Sequence, residues 1–540
     1  MTARRADPRP PPGRVEPTPA PSPDAPGARR AGRGWSPVEQ AWEHRTSLLL
    51  LVVLLALVAV VAATGMTHAP QRSDDEGTYV AQAWAVQHWR TLGHYTYWYD
   101  HPPLGWLLIA AWTTLTGAFA RAASAVAAGR EFMLVLQLAS AALLFVLARR
   151  LGLRRPAAAA AVLLFALSPL ALGFHRAVYL DNVATPFLLA AFVLALSPAR
   201  RLAAHAGAGL CFAAAVLCKE TSLLLAPALL WQYWQVSDRR TRRYSLTVAA
   251  SLFVLPCAAY LLYATLRGEL LPGPGHVSLL EAVGFQLGGR APSSSPFDPG
   301  SAARGTIRSW LGLDPWLLAA AVVLVPAGLA IRRLRPVTAA FAILAAMTLR
   351  PGYLPVPLVI GMLPFASLLV AGVADHAWGR PARHEARGRP LGPVVVAVCL
   401  TLAAVVVAPR WWQGDRELMT ADQDAPFRQA EAWIGANVPH QARLLVDDAL
   451  WVDLVERGYP PGQVVWFYKL DTDRDVQGRY PRGWREFDYV VSTATVRGFP
   501  EHLPQVAEAL RHSQVAAGFG RGTGRVEVRK VQGSPVSSPN

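Results

Sequence analysis

Residues 103–119 read PLGWLLIAAWTTLTGAF, and whether this segment crosses a bilayer decides how the whole chain is threaded. It is apolar, and Pro102-Pro103 favours a helix start. Eleven other apolar runs occupy 47–66, 132–149, 156–173, 182–197, 203–217, 221–235, 245–266, 314–331, 336–349, 353–373 and 391–409. Several are shorter than the ~20 residues of a straight span, which tight packing or local bilayer thinning accommodates. The run 47–66 is too long, and too far from residue 1, for an ordinary signal peptide.

Arginine settles the threading, because cytoplasmic loops of membrane proteins are enriched in Lys and Arg. Suppose that the Arg-rich N-terminal segment is cytoplasmic and that 103–119 crosses. The clusters Arg149–Arg150–Arg154–Arg155, Arg239–Arg243 and Arg380–Arg389 would then all lie outside. If 103–119 instead lies on the outer face, every cluster falls inside. The reading is eleven spans and one juxtamembrane helix. It leaves the loops 67–131, 174–182 and 267–313, and all residues after 410, on the extracytoplasmic side.

Composition agrees. The 540 residues are 53% hydrophobic and 16% charged, with a mean hydropathy of +0.26. Soluble chains carry nearer a quarter charged residues, so a soluble enzyme is excluded. The net charge of +16 invites a nucleic-acid reading. That excess sits in the N-terminal segment and the Arg-bearing loops assigned to the cytoplasm, which leaves the other segments near neutral. It is a topology signal, and no nucleic-acid partner is expected. The basic residues are nearly all Arg and the chain is rich in Ala, as in a high-GC bacterial genome. A bacterial plasma (inner) membrane follows, with a cytoplasmic N-terminus. The four cysteines lie in apolar stretches without a CxxC pair, so they read as small buried hydrophobes.

Three regions result. Residues 1–46 form a Pro/Arg-rich cytoplasmic tail that cannot bury a core and should be disordered. Residues 47–410 are a transmembrane domain. Residues 411–540 read as a small soluble α/β domain. Its expected helices are 427–438, 449–457 and 501–512. Its expected strands are 442–446, 464–470, 488–492 and 525–531. The fold class is thus an α-helical polytopic membrane protein with a C-terminal soluble α/β domain.

Polar motifs cluster on the side assigned outside. The first loop holds Ser73-Asp74-Asp75-Glu76-Gly77-Thr78-Tyr79 and then Tyr95-Thr96-Tyr97-Trp98-Tyr99-Asp100-His101-Pro102-Pro103-Leu104. Read alone, the first is a helix N-terminus with favourable acidic residues, and the second is an interfacial aromatic belt. Further along come His175-Arg176-Ala177-Val178-Tyr179-Leu180-Asp181, Cys218-Lys219-Glu220-Thr221 and Arg350-Pro351-Gly352-Tyr353-Leu354-Pro355. Lys219 is the only Lys in the membrane region. A lone Lys at a helix end can simply snorkel, and an ionisable residue at that depth is also a functional candidate.

Together these motifs resemble the GT-C glycosyltransferases, above all the protein O-mannosyltransferases and the aminoarabinose transferases that modify lipid A. An acidic pair is followed by Tyr four residues on, and Asp-His-Pro-Pro-Leu comes about twenty-five residues later. His101 to Gly105 matches the His-Pro-Pro-Leu-Gly run of the mannosyltransferases, and Arg176 with Leu180-Asp181 matches the second external loop. The likeness covers roughly 45–375. It implies a hexosyl or pentosyl transfer, with inversion, from a polyprenyl-phosphate-linked sugar to a hydroxyl on a protein, lipid or glycan acceptor. It implies Asp75 as general base, with Glu76 and Asp181 as further catalytic carboxylates. Asp100, His101, Arg176, Lys219, Arg350 and Tyr353 are implied to bind the phosphate or the substrates. Branches of the family differ in metal use; no cofactor is certain, and Asp100 and Asp181 are the candidate oxygen ligands of a divalent ion. The aminoarabinose branch carries Lys where this chain has His101, which favours the mannosyl branch or a separate one. The competing reading is a transporter or flippase of a lipid-linked or cell-envelope substrate. The sequence shows no repeat symmetry to support it.

Overall fold

The computed structural model describes residues 37–90, 101–197, 202–273, 278–289, 295–379, 391–498 and 503–532. The helices, in order, are α1 (Pro37–Ala63), α2 (Asp74–Trp89), α3 (Leu104–Thr116), α4 (Ala118–Arg121) and α5 (Ala125–Arg150). They continue as α6 (Arg155–Leu167), α7 (Pro169–Arg176), α8 (Leu180–Ala195), α9 (Leu202–Cys218), α10 (Ala226–Val236) and α11 (Arg242–Leu266). Then come α12 (Leu279–Gly284), α13 (Ala302–Leu313), α14 (Pro315–Ala330), α15 (Arg335–Met347), α16 (Leu358–Trp378) and α17 (Leu391–Thr420).

The apolar runs read from the sequence coincide with a helix or a bent pair, except 221–235, which is split between the 3-10 turn Glu220–Leu225 and α10. The helices α5, α11, α16 and α17, and α1 from Arg45 onward, are long and apolar enough to cross a membrane. α6 and α7 form a pair bent by 61°, and α13 and α14 one bent by 107°. α3, α8, α9 and α15 are shorter apolar helices. The deciding segment 103–119 folds as α3, whose 13 residues measure about 20 Å, short of the ~30 Å hydrocarbon core.

Two expectations about the flanking regions change. The composition of the tail 1–46 predicts disorder to its end. Instead α1 starts at Pro37; residues 1–36 lie outside the described residues. At the other boundary the last apolar helix does not stop at 410. α17 runs on to Thr420, carrying Trp411, Trp412 and Gln413 beyond its apolar stretch.

The bundle has two chemically different ends. At one, Arg154 and Arg333 both bind the Asp375 carboxylate, at 2.7 and 3.1 Å. This gathers the α5–α6 turn, the α14–α15 turn and the C-terminal end of α16. At the other end of α16, Leu358 shares a small chamber with Asp181. The seventeen residue steps from Leu358 to Asp375 separate the two ends by about 25 Å.

The C-terminal region forms a five-stranded mixed sheet of order β2-β1-β3-β5-β4. Its strands are β1 (Leu444–Val446), β2 (Val464–Trp466), β3 (Tyr489–Ser492), β4 (Ser513–Phe519) and β5 (Val526–Val531). β1 pairs in parallel with β2 and β3, and β5 pairs antiparallel with β3 and β4. Helices α18 (Ala425–Asn437) and α19 (Asp448–Glu456) flank it, with Pro504–Arg511 later in the chain. The expected strand 464–470 ends at Trp466 because Lys469–Thr472 turns into a short helix. β4 had no counterpart in the sequence reading. Side chains alternate across the sheet. Leu445, Val465 and Val490 join a small outer core, while Leu444, Val446, Val464 and Trp466 belong to the same core as the helices. The domain therefore shares its packing with the bundle.

Candidate active site

The site starts at the N-terminus of α2. Ser73 and Glu76 form a reciprocal capping box, the Ser73 hydroxyl accepting from the Glu76 N–H and the Glu76 carboxylate from the Ser73 N–H. Asp74, Asp75 and Glu76 therefore occupy the first helical turn, where the helix dipole favours negative charge.

Glu76 turns inward and is fully buried. Arg130 on α5 donates to both its carboxylate oxygens at 2.9 Å, and the Val178 N–H donates to it at 2.9 Å. Such bidentate pairing fixes geometry tightly. Arg130 itself also reaches the carbonyls of Met66 and Pro70 and the Asp424 carboxylate. Glu76, expected among the catalytic carboxylates, is thus an anchor with both oxygens occupied. Asp75, half-buried on the same turn, is the one left beside the other site groups.

Facing α2 are the groups around Lys219. The backbone there leaves the helix: α9 ends at Cys218, Lys219 is extended (φ −151°, ψ 116°), and a 3-10 turn begins at Glu220. Lys219 Nζ lies 3.2 Å from His101 Nε2, and His101 Nδ1 lies 3.1 Å from both Glu220 oxygens. An ammonium only donates, so Nε2 accepts and Nδ1 carries the proton given to Glu220. Glu220 thereby fixes the imidazole tautomer. Gly105 lets His101 come this close: a Cβ there would stand 2.6 Å from the Leu180 side chain and 3.3 Å from the Cys218 carbonyl.

Asp75, Asp181, Glu220 and Tyr353 all lie within electrostatic reach of the Lys219 ammonium. Asp181 sits buried in the first turn of α8, with its Oδ2 lacking a hydrogen bond among the described residues. Tyr79 bridges the two sides, buried, its ring 6.0 Å from that of His101. Burial and the carboxylates of Asp75, Asp181 and Glu220 push its phenol well up, so it stays a donor.

The C-terminal domain closes over α2. Asp447 caps α19, and Asp448 accepts hydroxyl bonds from Thr78 at 2.6 Å and Tyr468 at 2.9 Å. Burial with the neighbouring charges of Asp75 and Asp447 pushes Asp74 up to about 7. Asp448 is held well above the ordinary carboxylate range by burial and by Asp447 and Asp74. Arg72 adds a buried clasp to Asp424, Glu431 and Asp453, at 3.5, 2.6 and 3.1 Å.

The structure thus brings together Asp75, His101, Asp181, Lys219 and Tyr353. It takes Arg176 away: its guanidinium donates to the backbone carbonyls of Val61, Thr64 and Leu418, a structural use of an expected substrate ligand. Arg350 is exposed at the start of the 350–355 motif. Asp100 lies outside the described residues. Among the described residues no three His, Cys, Asp or Glu side chains converge as metal ligands, and Asp181 faces an ammonium. Sequence reasoning assigned no role to Glu220 or Tyr79, though both stood inside quoted motifs. A carboxylate beside the single membrane-region Lys was the available signal for Glu220. Asp447 and Asp448 carried no local signal at all.

Comparison with known proteins gives the same architecture. Residues 100–263 match the sequence model of the family described as dolichyl-phosphate-mannose-protein mannosyltransferase. No curated protein matches the chain's sequence. Among solved structures, ArnT from Cupriavidus metallidurans bound to undecaprenyl phosphate superposes with a TM-score of 0.54 at 15% identity, over 91% of this chain and 99% of that one. The Archaeoglobus fulgidus oligosaccharyltransferase tethered with an acceptor peptide gives 0.54 at 12% identity, over 92% and 76%. Archaeal AglB from the same organism, in complex with an inhibitory peptide and a dolichol-phosphate, gives 0.51 at 13%, over 93% and 75%. The fold is the GT-C fold with a small C-terminal sheet domain.

Proposed function

We propose that the chain is an inverting glycosyltransferase of the plasma membrane. It moves a sugar from a polyprenyl-phosphate donor to an acceptor hydroxyl on the extracytoplasmic face. The carrying observation is the Lys219–His101–Glu220 array standing opposite Asp75 at the acidic end of the bundle. The fold shared with structures holding undecaprenyl phosphate and dolichol-phosphate supports it.

The chemistry needs two things. The acceptor hydroxyl is a poor nucleophile and needs a base. Asp75 takes its proton as the oxygen attacks the anomeric carbon. The bond from that carbon to the phosphate oxygen breaks, and the electron pair leaves with the phosphate. The growing phosphate charge needs preorganised positive groups. Lys219 supplies the ammonium, Tyr353 and Arg350 stand at the neighbouring helix start, and His101 with Glu220 holds Lys219 in place. One displacement inverts the anomeric centre, so no second nucleophilic carboxylate is required. The Arg-lined end of the bundle faces the cytoplasm.

The test uses membranes containing the full chain and a radiolabelled polyprenyl-phosphate sugar. Wild type should release polyprenyl phosphate and label an acceptor; Asp75→Asn should not, at normal membrane abundance. Full transfer by Asp75→Asn would remove Asp75 as base. Movement of the lipid-linked sugar across the bilayer without transfer would favour a flippase.

A further inference from the structure

A second space opens on the other side of the α2 first turn. It is a cavity of about 770 Å³ between α7, the α13–α14 corner and the outer part of α17, within the size range of small-molecule sites. Its inner end is walled by Glu76 and Tyr179, and Tyr179 lies within electrostatic reach of Asp75. Glu76 follows Asp75 directly in the chain, so the cavity ends at the turn that carries the proposed base, and Lys219 is not among its lining residues.

Its lining is specific in kind. Phe174, Tyr179, Trp316 and Trp411 supply aromatic faces, and Gln413 and Gln423 supply amides. The Trp411 indole N–H is buried and has no hydrogen-bond partner among the described residues. The charges offset one another. Arg410 stacks over Trp316 at 5.3 Å, Glu417 lies about two turns further along α17, and Glu76 is already paired with Arg130. A strongly anionic head group would find no surplus of positive charge. Neutral sugar rings fit this chemistry: their C–H faces lie on indoles and phenyl rings, and their hydroxyls exchange hydrogen bonds with amides and an indole N–H.

The approach to the cavity is apolar. α17 leads up to it with Val394, Val398, Leu402 and Val405 exposed, a surface for a lipid chain at the end of a span. Trp316 and Trp412, also exposed, sit where interfacial aromatics are placed.

We propose that this cavity takes the acceptor, and that the acceptor is the neutral saccharide head group of a membrane lipid. The proposal rests on the glycosyltransferase reading for its meaning, but binding is measured without transfer. The probe is an alkyl β-glucoside carrying a diazirine on the sugar, added to the full chain in lipid nanodiscs. After irradiation, labelled peptides are mapped by mass spectrometry. Label should fall on the segments around Trp316 and Trp411. It should drop several-fold in Trp411→Ala and in Gln413→Ala, the latter at an exposed position that leaves folding intact. Asp75→Asn should label like wild type, so a failed catalytic assignment leaves this result standing. Equal labelling by a short-chain, water-soluble glucoside would overturn the lipid-borne source. Competition by an alkyl phosphate or a Ser/Thr peptide, in place of an unlabelled alkyl glucoside, would overturn the sugar chemistry. Label elsewhere, or label indifferent to both variants, would overturn the site.

Discussion

Thr78 donates its hydroxyl to Asp448 across 2.6 Å, three residues after Asp75 on the same helix. The C-terminal domain is thereby fastened to the helix that carries the proposed base. The neighbouring Gly77 makes the approach possible, since a Cβ there would stand 2.2 Å from both the Ala449 nitrogen and the Asp448 carbonyl carbon.

Gly77→Ala should therefore be severe, because backbone on the facing side cannot yield as a side chain can. The expected loss is at least the 1–3 kcal/mol of ordinary overpacking. Thr78→Val removes one hydrogen bond and should cost about 1 kcal/mol. Thermal unfolding of the purified protein, with proteolysis of the 421–532 region, ranks the two.

Arg130→Met should destabilise by about 3–5 kcal/mol, since it leaves Glu76 buried without its cation and Asp424 with Arg72 alone. Adding Glu76→Gln to it should return part of the loss. Denaturation midpoints of the single and double variants check the sign.

Lys219→Met should lower kcat/KM for the lipid-linked donor by roughly 100-fold or more, as loss of a charge-stabilising donor does. Glu220→Gln keeps Lys219 but loosens its hold through His101, so its effect should be smaller. Transfer rates against donor concentration separate the two; equal losses would mean that Glu220 itself meets the substrate.

The raised Asp74 gives a pH signature. Its carboxyl goes from an ordinary 3.8 to about 7 on folding, so the folded state holds the extra proton between those values. Stability from this group is full below about 4 and is lost as pH rises through about 7. Asp74→Asn should match wild type below about pH 4, begin to exceed it near pH 5, and unfold at a clearly higher temperature than wild type near pH 8. A constant difference across that range would show that Asp74 is not the titrating group.

The sequence reading succeeded where local patterns decide the structure. Apolar runs anticipate the helices and the acidic first turn of α2, but helix length does not decide the eleven spans or the juxtamembrane placement of 103–119: among the described residues five helices, or up to seven counting the bent pairs, are long and apolar enough to cross, and α3 is no shorter than α15. Lys219 is legible because it is the only Lys of the membrane region, and His101 only through the likeness of the run from His101 to Gly105 to that of the mannosyltransferases. The roles of Glu76 and Arg176 were not, because they depend on partners far along the chain: Arg130 for one, the carbonyls of Val61, Thr64 and Leu418 for the other. A motif identifies a residue type at a position, but burial decides whether its charge is spent on the protein. β4 escaped for a similar reason. It is an edge strand, half exposed and with a register shift between Val515 and Ala517, so its alternation is broken.

The clasp of Arg72 on Glu431 joins residues 359 positions apart. During synthesis the first external loop is made long before its partners at 424, 431 and 453. Its two arginines and Glu76 must wait, exposed, while the helices between are inserted. The turn that carries the proposed base can then lock only as one of the last events of assembly, so a half-made chain in the membrane carries it unformed.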